Sequence, residues 1–491
     1  MKQALHIFRK DVRYLRWELG VMLLLMGMFV YTQIHPDEGR RLNRAMIVML
    51  LQSCFWAFLC ARLIQAETIP GDRQFWLTRP YEWRSLLGAK LLFVVAFISM
   101  PLLVCDAVIL AWEGFSVAAN LAGLLWSVML ATVGLLMTLC AFATLTRGLA
   151  QWMVGLIVTI GAVLGLAEIG KGNVWGGVEW MRDHGDIAIL FIAASAILIW
   201  QYKYRRTAAA IVMMAAGLIA SWLYASYGSS ALALEVQMRL SKPKADPSAI
   251  RVAFQPSAEH RSAGQEAYVR IGGRDAISLA LPMEVAGLRQ GEDVMTDETE
   301  LSVETEDGHA QDLDQSIASS LQRWPSGYRQ ILNVDRTVYE KAKGRPVRLK
   351  LTLFLTLLGN PVSKTIQLDA DAVPVVGVGL CRASGEYSIQ RITCISPMHD
   401  FLNIPLVRLG PDRQDRFIAP RNYSPLPADS SISPLHRYSY NGLNISFRGQ
   451  PTYGALRQVM LISLEPLAHF RRDLVLQGVH LADYQVEHFY Q

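Results

Sequence analysis

Apolar and polar positions divide this chain into two unlike halves. Up to about residue 228 it is a succession of long apolar runs, at 17–34, 45–63, 91–112, 121–145, 149–167, 187–200 and 208–227. A bilayer core needs about 20 mostly apolar residues per helix, so these runs predict seven membrane spans. The sixth run is the shortest; it spans only if flanking residues such as Tyr202 and Lys203 reach outward to the interface. If it only lies at the interface, everything after it changes sides. Ahead of the first run, Leu5, Phe8, Val12 and Leu15 recur every three or four residues, while Arg9, Arg13 and Arg16 occupy another helical face. That predicts an amphipathic interfacial helix over residues 1–18, apolar side in the acyl boundary and arginines toward anionic headgroups. The plainer alternative is a basic flank that only sets topology.

From Ala231 onward the period shifts to two. Val347-Arg348-Leu349-Lys350-Leu351-Thr352-Leu353 alternates cleanly, as do shorter pieces at 250–254, 268–271 and 459–464, and Pro, Gly, Asn and Ser clusters separate them. Residues 323–328 and Asn360-Pro361 are expected as turns. The fold class expected is therefore an α-helical polytopic membrane bundle of six to seven transmembrane helices followed by an extracytoplasmic, mainly-β, sandwich-like module. The divisions are a transmembrane domain at 19–227, a β domain at 228–370, and a second β domain, or a continuation of the first, at 371–491.

Composition agrees with this division. The 491 residues are 52% hydrophobic and only 18% charged, with a net charge of +5, too apolar for a disordered or nucleic-acid-binding chain. Six cysteines are too few for a disulfide scaffold of this length. Lys and Arg collect on one side of the expected spans: at Lys2, Arg9, Lys10, Arg13 and Arg16, at Arg62, Arg73, Arg79, Arg84 and Lys90, and at Arg147, Lys203, Arg205 and Arg206. The alternate loops hold Arg40, Arg41, Arg44, Lys171 and Arg182. By the positive-inside rule the first set is cytoplasmic. With seven spans in an inner or plasma membrane, the N-terminus is then cytoplasmic and the β half extracytoplasmic. The first run is followed by Tyr31-Thr32-Gln33-Ile34-His35-Pro36, with no small-residue cleavage site, which reads as a retained helix.

The second cytoplasmic loop, 62–90, is the most informative stretch. Pro70 and Gly71 end what precedes them, Asp72 can cap a short helix, and Pro80 stops it near Thr78. Such a helix presents Phe75, Trp76 and Leu77 with Arg73 and Arg79, and Trp and Arg are the residue types most enriched at the energetic centres of protein interfaces. Aromatics resting in the headgroup belt are the competing explanation. The loop's phrases Trp76-Leu77-Thr78-Arg79-Pro80 and Leu86-Leu87-Gly88-Ala89-Lys90, with the basic entry helix and roughly six-span core, resemble the permease subunits of type-2 ATP-binding-cassette (ABC) exporters over residues 1–227. The resemblance implies that this loop forms a coupling helix docking on a separate ABC-type ATPase subunit, a role it places on Asp72, Arg73, Phe75, Trp76, Leu77, Arg79 and Pro80. It also implies a homodimer, or a heterodimer with a similar permease. A seventh span and a long soluble module depart from that family's pattern, and the resemblance says nothing about the module.

The chain is not expected to hydrolyse ATP itself or to carry a cofactor. Its nearest approach to a phosphate loop, ending Gly170-Lys171-Gly172, lacks the hydroxyl residue and sits at the outer end of the fifth span. No nucleophile elbow, His-Glu-x-x-His or Cys-x-x-Cys is present, and His399-Asp400 is a lone dipeptide. Asp106 is the clear acid within an apolar run; two turns before Glu113, it is expected near the outer interface within reach of water. Cys54, Cys60, Cys105 and Cys140 read as packing residues. Cys381 and Cys394 bracket a hairpin-like stretch around Ser384-Gly385, and an oxidising compartment favours a disulfide between them over two buried thiols. The acidic run from Glu292 to Asp314 matches no EF-hand spacing and is expected as a solvated face. Beside the ATPase, the partners expected are membrane lipid and an envelope protein, with no nucleic acid. The rival hypotheses are a membrane-anchored receptor or assembly protein that displays the β module without transport, and an external enzyme on a membrane anchor.

Overall fold

The computed structural model describes the chain apart from residues 1, 36–40, 67–81, 170–174, 242, 257–267, 272–273, 305–309, 315–319, 325–326, 368–370, 376–378, 387–388, 398–405, 411–415, 419–434, 442–457 and 486–491. Seven of its helices are long and apolar enough to cross a membrane: Arg16–Ile34, Ile47–Gln65, Trp83–Trp112, Val117–Ala143, Leu149–Leu166, Trp180–Tyr204 and Thr207–Tyr227. We call these the first to seventh spans. The sixth is 25 residues long rather than the short run expected. Arg182, Asp183, His184 and Asp186 interrupt its apolar pattern but not its helix, because a polar first turn is compatible with helical hydrogen bonding once the following turns are apolar.

An entry helix, Lys2–Tyr14, precedes the first span. Ile7, Asp11 and Leu15 are buried at spacing four, and Ala4, Phe8 and Val12 pack partly against the same core. This face is turned onto protein, chiefly the start of the third span. Arg9, Arg13 and Arg16 are exposed. The fifth span is the most outward-facing: Met153, Val154, Ile157, Val158 and Leu164 all expose their side chains, as a helix solvated by lipid does.

The β region does not begin at 231. A further helix, Ser230–Ser241, comes first, and we call it the junction helix. Three antiparallel sheets follow. The first has five strands, β1 (Arg251–Phe254), β2 (Tyr268–Ile271), β3 (Arg274–Ala286), β6 (Ser320–Trp324) and β7 (Gly327–Asp335), in the order β1-β3-β7-β6 with β2 also on β3. The second runs β13-β12-β15-β8-β4-β5 and is built from β4 (Asp293–Glu304), β5 (Ala310–Asp314), β8 (Val347–Gln367), β12 (Leu406–Gly410), β13 (Arg416–Ile418) and β15 (Gln458–Val479). The third is β14-β11-β10-β9, from β9 (Val373–Val375), β10 (Gly379–Glu386), β11 (Ile389–Pro397) and β14 (Leu435–Asn441).

The first two sheets share one core, in which Ile277, Leu279, Leu281, Leu332 and Val334 meet Leu349, Leu351, Leu353, Leu355 and Leu357. Alternation on β8 supplies one side of it, since Leu349, Leu351 and Leu353 point inward while Arg348 and Lys350 point out. β15 returns from the far end of the chain to pair with β8 along nearly its whole length, so residues on both sides of 370 belong to one sheet. Asn360 sits within β8 at φ 50° rather than in a turn. The hairpin of the third sheet closes at Glu386↔Ile389, slightly beyond Ser384-Gly385.

Candidate functional site

Asp72, Arg73, Phe75, Trp76, Leu77, Arg79 and Pro80 all lie outside the described residues, which resume at Glu82. Both ends of that loop are described. On the upstream side, Arg62 Nη2 donates to Glu18 Oε1 at 3.3 Å and its guanidinium lies 5.4 Å from the Tyr14 ring centroid. Gln65 Nε2 donates to Thr146 Oγ1 at 2.9 Å. The last turn of the second span is thereby tied to the entry helix, the first span and the turn after the fourth.

The downstream side is held more deeply. Glu82 is extended and the third span starts at Trp83, which packs partly against the bundle core. Leu86 is buried and Leu87 half-buried in the same core. One turn further, Lys90 Nζ donates to Asp11 Oδ2 at 2.8 Å, with both residues only 1% exposed. Lys90 is thus no loop cation; it is neutralised inside the bundle by an acid of the entry helix. The signal was present in the sequence, since Asp11 is four residues from both Ile7 and Leu15 and so interrupts an apolar stripe. A charge so buried is retained only opposite a partner, because its desolvation costs several kcal/mol.

Beyond Lys90, Phe8 of the entry helix packs against Phe93 and Phe97 at centroid distances of 6.4 and 5.8 Å. The third span then passes through a π-helical segment, Val95–Ser99, and the fourth through another, Ala131–Leu136. Such segments widen the helix by one residue per turn and are common at functional sites. The two are joined: Ser99 Oγ and Thr132 Oγ1 lie 2.7 Å apart. Thr132 gives its hydroxyl hydrogen to Val128 O at 2.7 Å, so Ser99 is the donor between them. A continuous packed route runs from the loop through Leu86, the Lys90–Asp11 pair and the Phe8 clasp to the fourth span.

Asp106 is turned into the protein rather than toward solvent. It is 2% exposed, on the buried face with Leu102, Ile109 and Leu110, and among the described residues its Oδ1 has no hydrogen-bond partner. The expected reach to water is not met, because this face of the span is turned onto neighbouring helices. One turn nearer the C-terminal end of the third span, Ile109 and Leu110 cluster with Phe29, Val48 and Leu124, and Ile395 of β11 packs partly against them. Beside Ile395, Cys394 is paired across the hairpin with Cys381 and bonded to it, the sulfurs 2.04 Å apart. A cross-linked hairpin of the third sheet therefore rests on the ends of the first four spans.

The sandwich docks on the loop between the fifth and sixth spans. Gly176 and Gly177 have φ of +68° and +76°. A Cβ on Gly176 would come 2.6 Å from the buried Phe354 ring, and one on Gly177 2.4 Å from Cβ of Asp297. Gly177 N–H donates to Glu298 Oε2 at 3.0 Å, and Trp175 Nε1 donates to Ala225 O at 3.1 Å. The acidic run is accordingly not a simple solvated face. Glu298 is 3% exposed and used for docking, and Asp293, also buried, accepts from Tyr328 Oη at 2.6 Å and from Val294 N–H at 2.8 Å.

His399 and Asp400 lie outside the described residues. Among the described residues no group of three or more His, Cys, Asp or Glu could hold a metal ion. No family model, curated protein or solved structure matches the chain.

Proposed function

We propose that the chain is the membrane-spanning permease subunit of an ABC-type export system, coupled through residues 72–80 to a separate ATP-hydrolysing subunit. The observation that carries this reading is the buried Lys90–Asp11 pair. It fixes the end of the Leu86–Lys90 phrase to the entry helix, so that force on the loop enters the third span as a rigid unit instead of being lost in a flexible hinge. The π segments bridged by Ser99 and Thr132 would pass the movement to the fourth span. Seven spans and the excess of Lys and Arg on one side support a cytoplasmic loop and a β module on the opposite side. The Cys381–Cys394 bond supports an oxidising compartment for that module. Two such subunits would pair in the membrane, and nucleotide-driven closure of the ATPases would rock each bundle.

The full chain, purified from its native membrane, tests the proposal. An ABC-type ATPase, encoded in a neighbouring reading frame, should copurify with the wild-type chain and not with an Arg73→Glu/Trp76→Ala variant. Equal copurification with both would remove the coupling assignment.

A second reading is favoured by the docking of Gly177 on Glu298. Here the bundle is a rigid pedestal that displays the β module as a receptor or assembly platform, with no ATPase. Recovery of an envelope protein in place of an ATPase would select it.

A further inference from the structure

A line of hydrogen bonds crosses from the sixth span into the sandwich. Trp180 Nε1 donates to Gln237 Oε1 of the junction helix at 2.7 Å. Gln237 Nε2 lies 3.2 Å from His469 Nε2 on β15. His469 Nδ1 lies 2.7 Å from Thr356 Oγ1 on β8, its direct cross-strand partner. Thr356 Oγ1 donates to Asp297 Oδ2 at 2.5 Å, and Asp297 is the extra residue of the bulge between Thr296 and Glu298 on β4.

The two ends fix every proton between them. An indole N–H can only donate and an ionised carboxylate can only accept. Trp180 therefore holds the carbonyl end of the Gln237 amide, leaving its NH2 to donate to His469 Nε2. At the other end, Thr356 gives its hydrogen to Asp297 and can only accept from His469 Nδ1–H. The line closes only with His469 neutral and protonated on Nδ1. A second proton, on Nε2, would face the Gln237 NH2 donor to donor, and the amide cannot turn over without losing Trp180.

The charged groups on the surrounding elements are Asp297 and Glu298 on β4, Arg471 and Asp473 on β15, Glu235 and Arg239 on the junction helix, and Arg182, Asp183, His184 and Asp186 on the sixth span. Glu298 is engaged by Gly177, and Arg471–Asp473, Glu235–Arg239 and Arg182–Asp183 pair with each other. Asp186 accepts from Ser221, and His184 is in contact with Trp180 O and Trp126 Nε1. Asp297 lies within ion-pair range of the ring, its Oδ2 3.8 Å from Nδ1. The His469 and Asp297 side chains are 16% and 18% exposed, enough for a proton to arrive from water.

We infer that the Trp180–Gln237–His469–Thr356–Asp297 line is a proton-operated latch between the membrane bundle and the β module. With His469 neutral, the ring belongs to both bodies. With it protonated, the imidazolium is repelled by the Gln237 amide and drawn to Asp297, so the ring stays with the sandwich and the junction helix is released. Acidification thus opens the latch from one side only. The inference stands independently of the transport reading, because it concerns the coupling of two parts of one chain.

Spin–spin distances test it on the full chain in lipid nanodiscs, with labels at Arg239→Cys and Val475→Cys, the cysteines at 54, 60, 105 and 140 replaced by alanine, and the disulfide intact. Between about pH 8 and about pH 5, a range over which histidine side chains change charge, the wild-type pair should pass reversibly from a single narrow distance to a broader, longer distribution. His469→Gln supplies the same acceptor and donor without titrating and should stay narrow at both values. Gln237→Glu offers an acceptor to the imidazolium and should also stay narrow at the acid value. A wild-type distribution that does not change with pH overturns the latch, as does an acid change that survives in either variant.

Discussion

Lys90 and Asp11 lie 79 residues apart in sequence and form a 2.8 Å ion pair closed to solvent in the bundle. Each is the reason the other is tolerated there. Lys90→Met or Asp11→Leu alone should therefore strand a buried charge and cost about 3–5 kcal/mol, while the double variant should unfold close to the wild type or above it. Thermal unfolding in detergent of the two single variants and the double variant measures this. Equal destabilisation by all three would mean the pair is not buried as described.

The docking loop is predicted to tolerate no side chain. Gly177→Ala adds a Cβ where Asp297 already stands and must do so at positive φ. The cost should exceed the about 1 kcal/mol of an ordinary backbone strain. Limited proteolysis should then release the β region sooner, whereas Gly161→Ala, which meets nothing within 4 Å, should leave the digestion pattern unchanged.

Removing the Cys381–Cys394 bond should loosen the third sheet and leave the sandwich standing, because the bond joins β10 to β11 and neither belongs to the sandwich core. A short cross-linked loop is worth about 2–4 kcal/mol. Hydrogen exchange in Cys381→Ala/Cys394→Ala should rise over β10 and β11 but not over β3 and β7.

Glu465 is held below the ordinary glutamate range by hydrogen bonds from the Lys244 side chain and then from Asn360. A carboxyl depressed in the folded state contributes stability that is complete above its unfolded value, about pH 4.3, and is lost as pH falls through the lower folded value. Both side chains are more than one-third exposed, so the contribution is at most about 1 kcal/mol. Glu465→Gln should reduce stability slightly at neutral pH and flatten that part of the acid limb, as a pH series of melting temperatures would record.

Several of these features were legible in the chain and others were not. The apolar runs located the spans because lipid permits so few alternatives to a helix. Alternation at 347–353 located β8 for the same kind of reason, one face of the strand being buried and the other not. The junction helix was missed because residues 231–241 mix Ala, Leu, Gln and Arg without a long apolar stripe, and its identity comes from packing on β15. Lys90 was misassigned because a cation at the foot of a span looks topogenic until its partner, on another helix, is known. Asp106 and the buried acids Asp293 and Glu298 show the same limit. Sequence gives a residue's depth along an element, but only tertiary packing decides what its face meets.

Sidedness tests the central claim most directly. In cells bearing the chain without its four unpaired cysteines, a membrane-impermeant maleimide should modify Val475→Cys on the exposed surface of β15 with the membrane intact, and Thr78→Cys only after permeabilisation. Modification of Thr78→Cys in intact cells, or of both positions under the same condition, would contradict a cytoplasmic coupling loop and an external β module joined by seven spans.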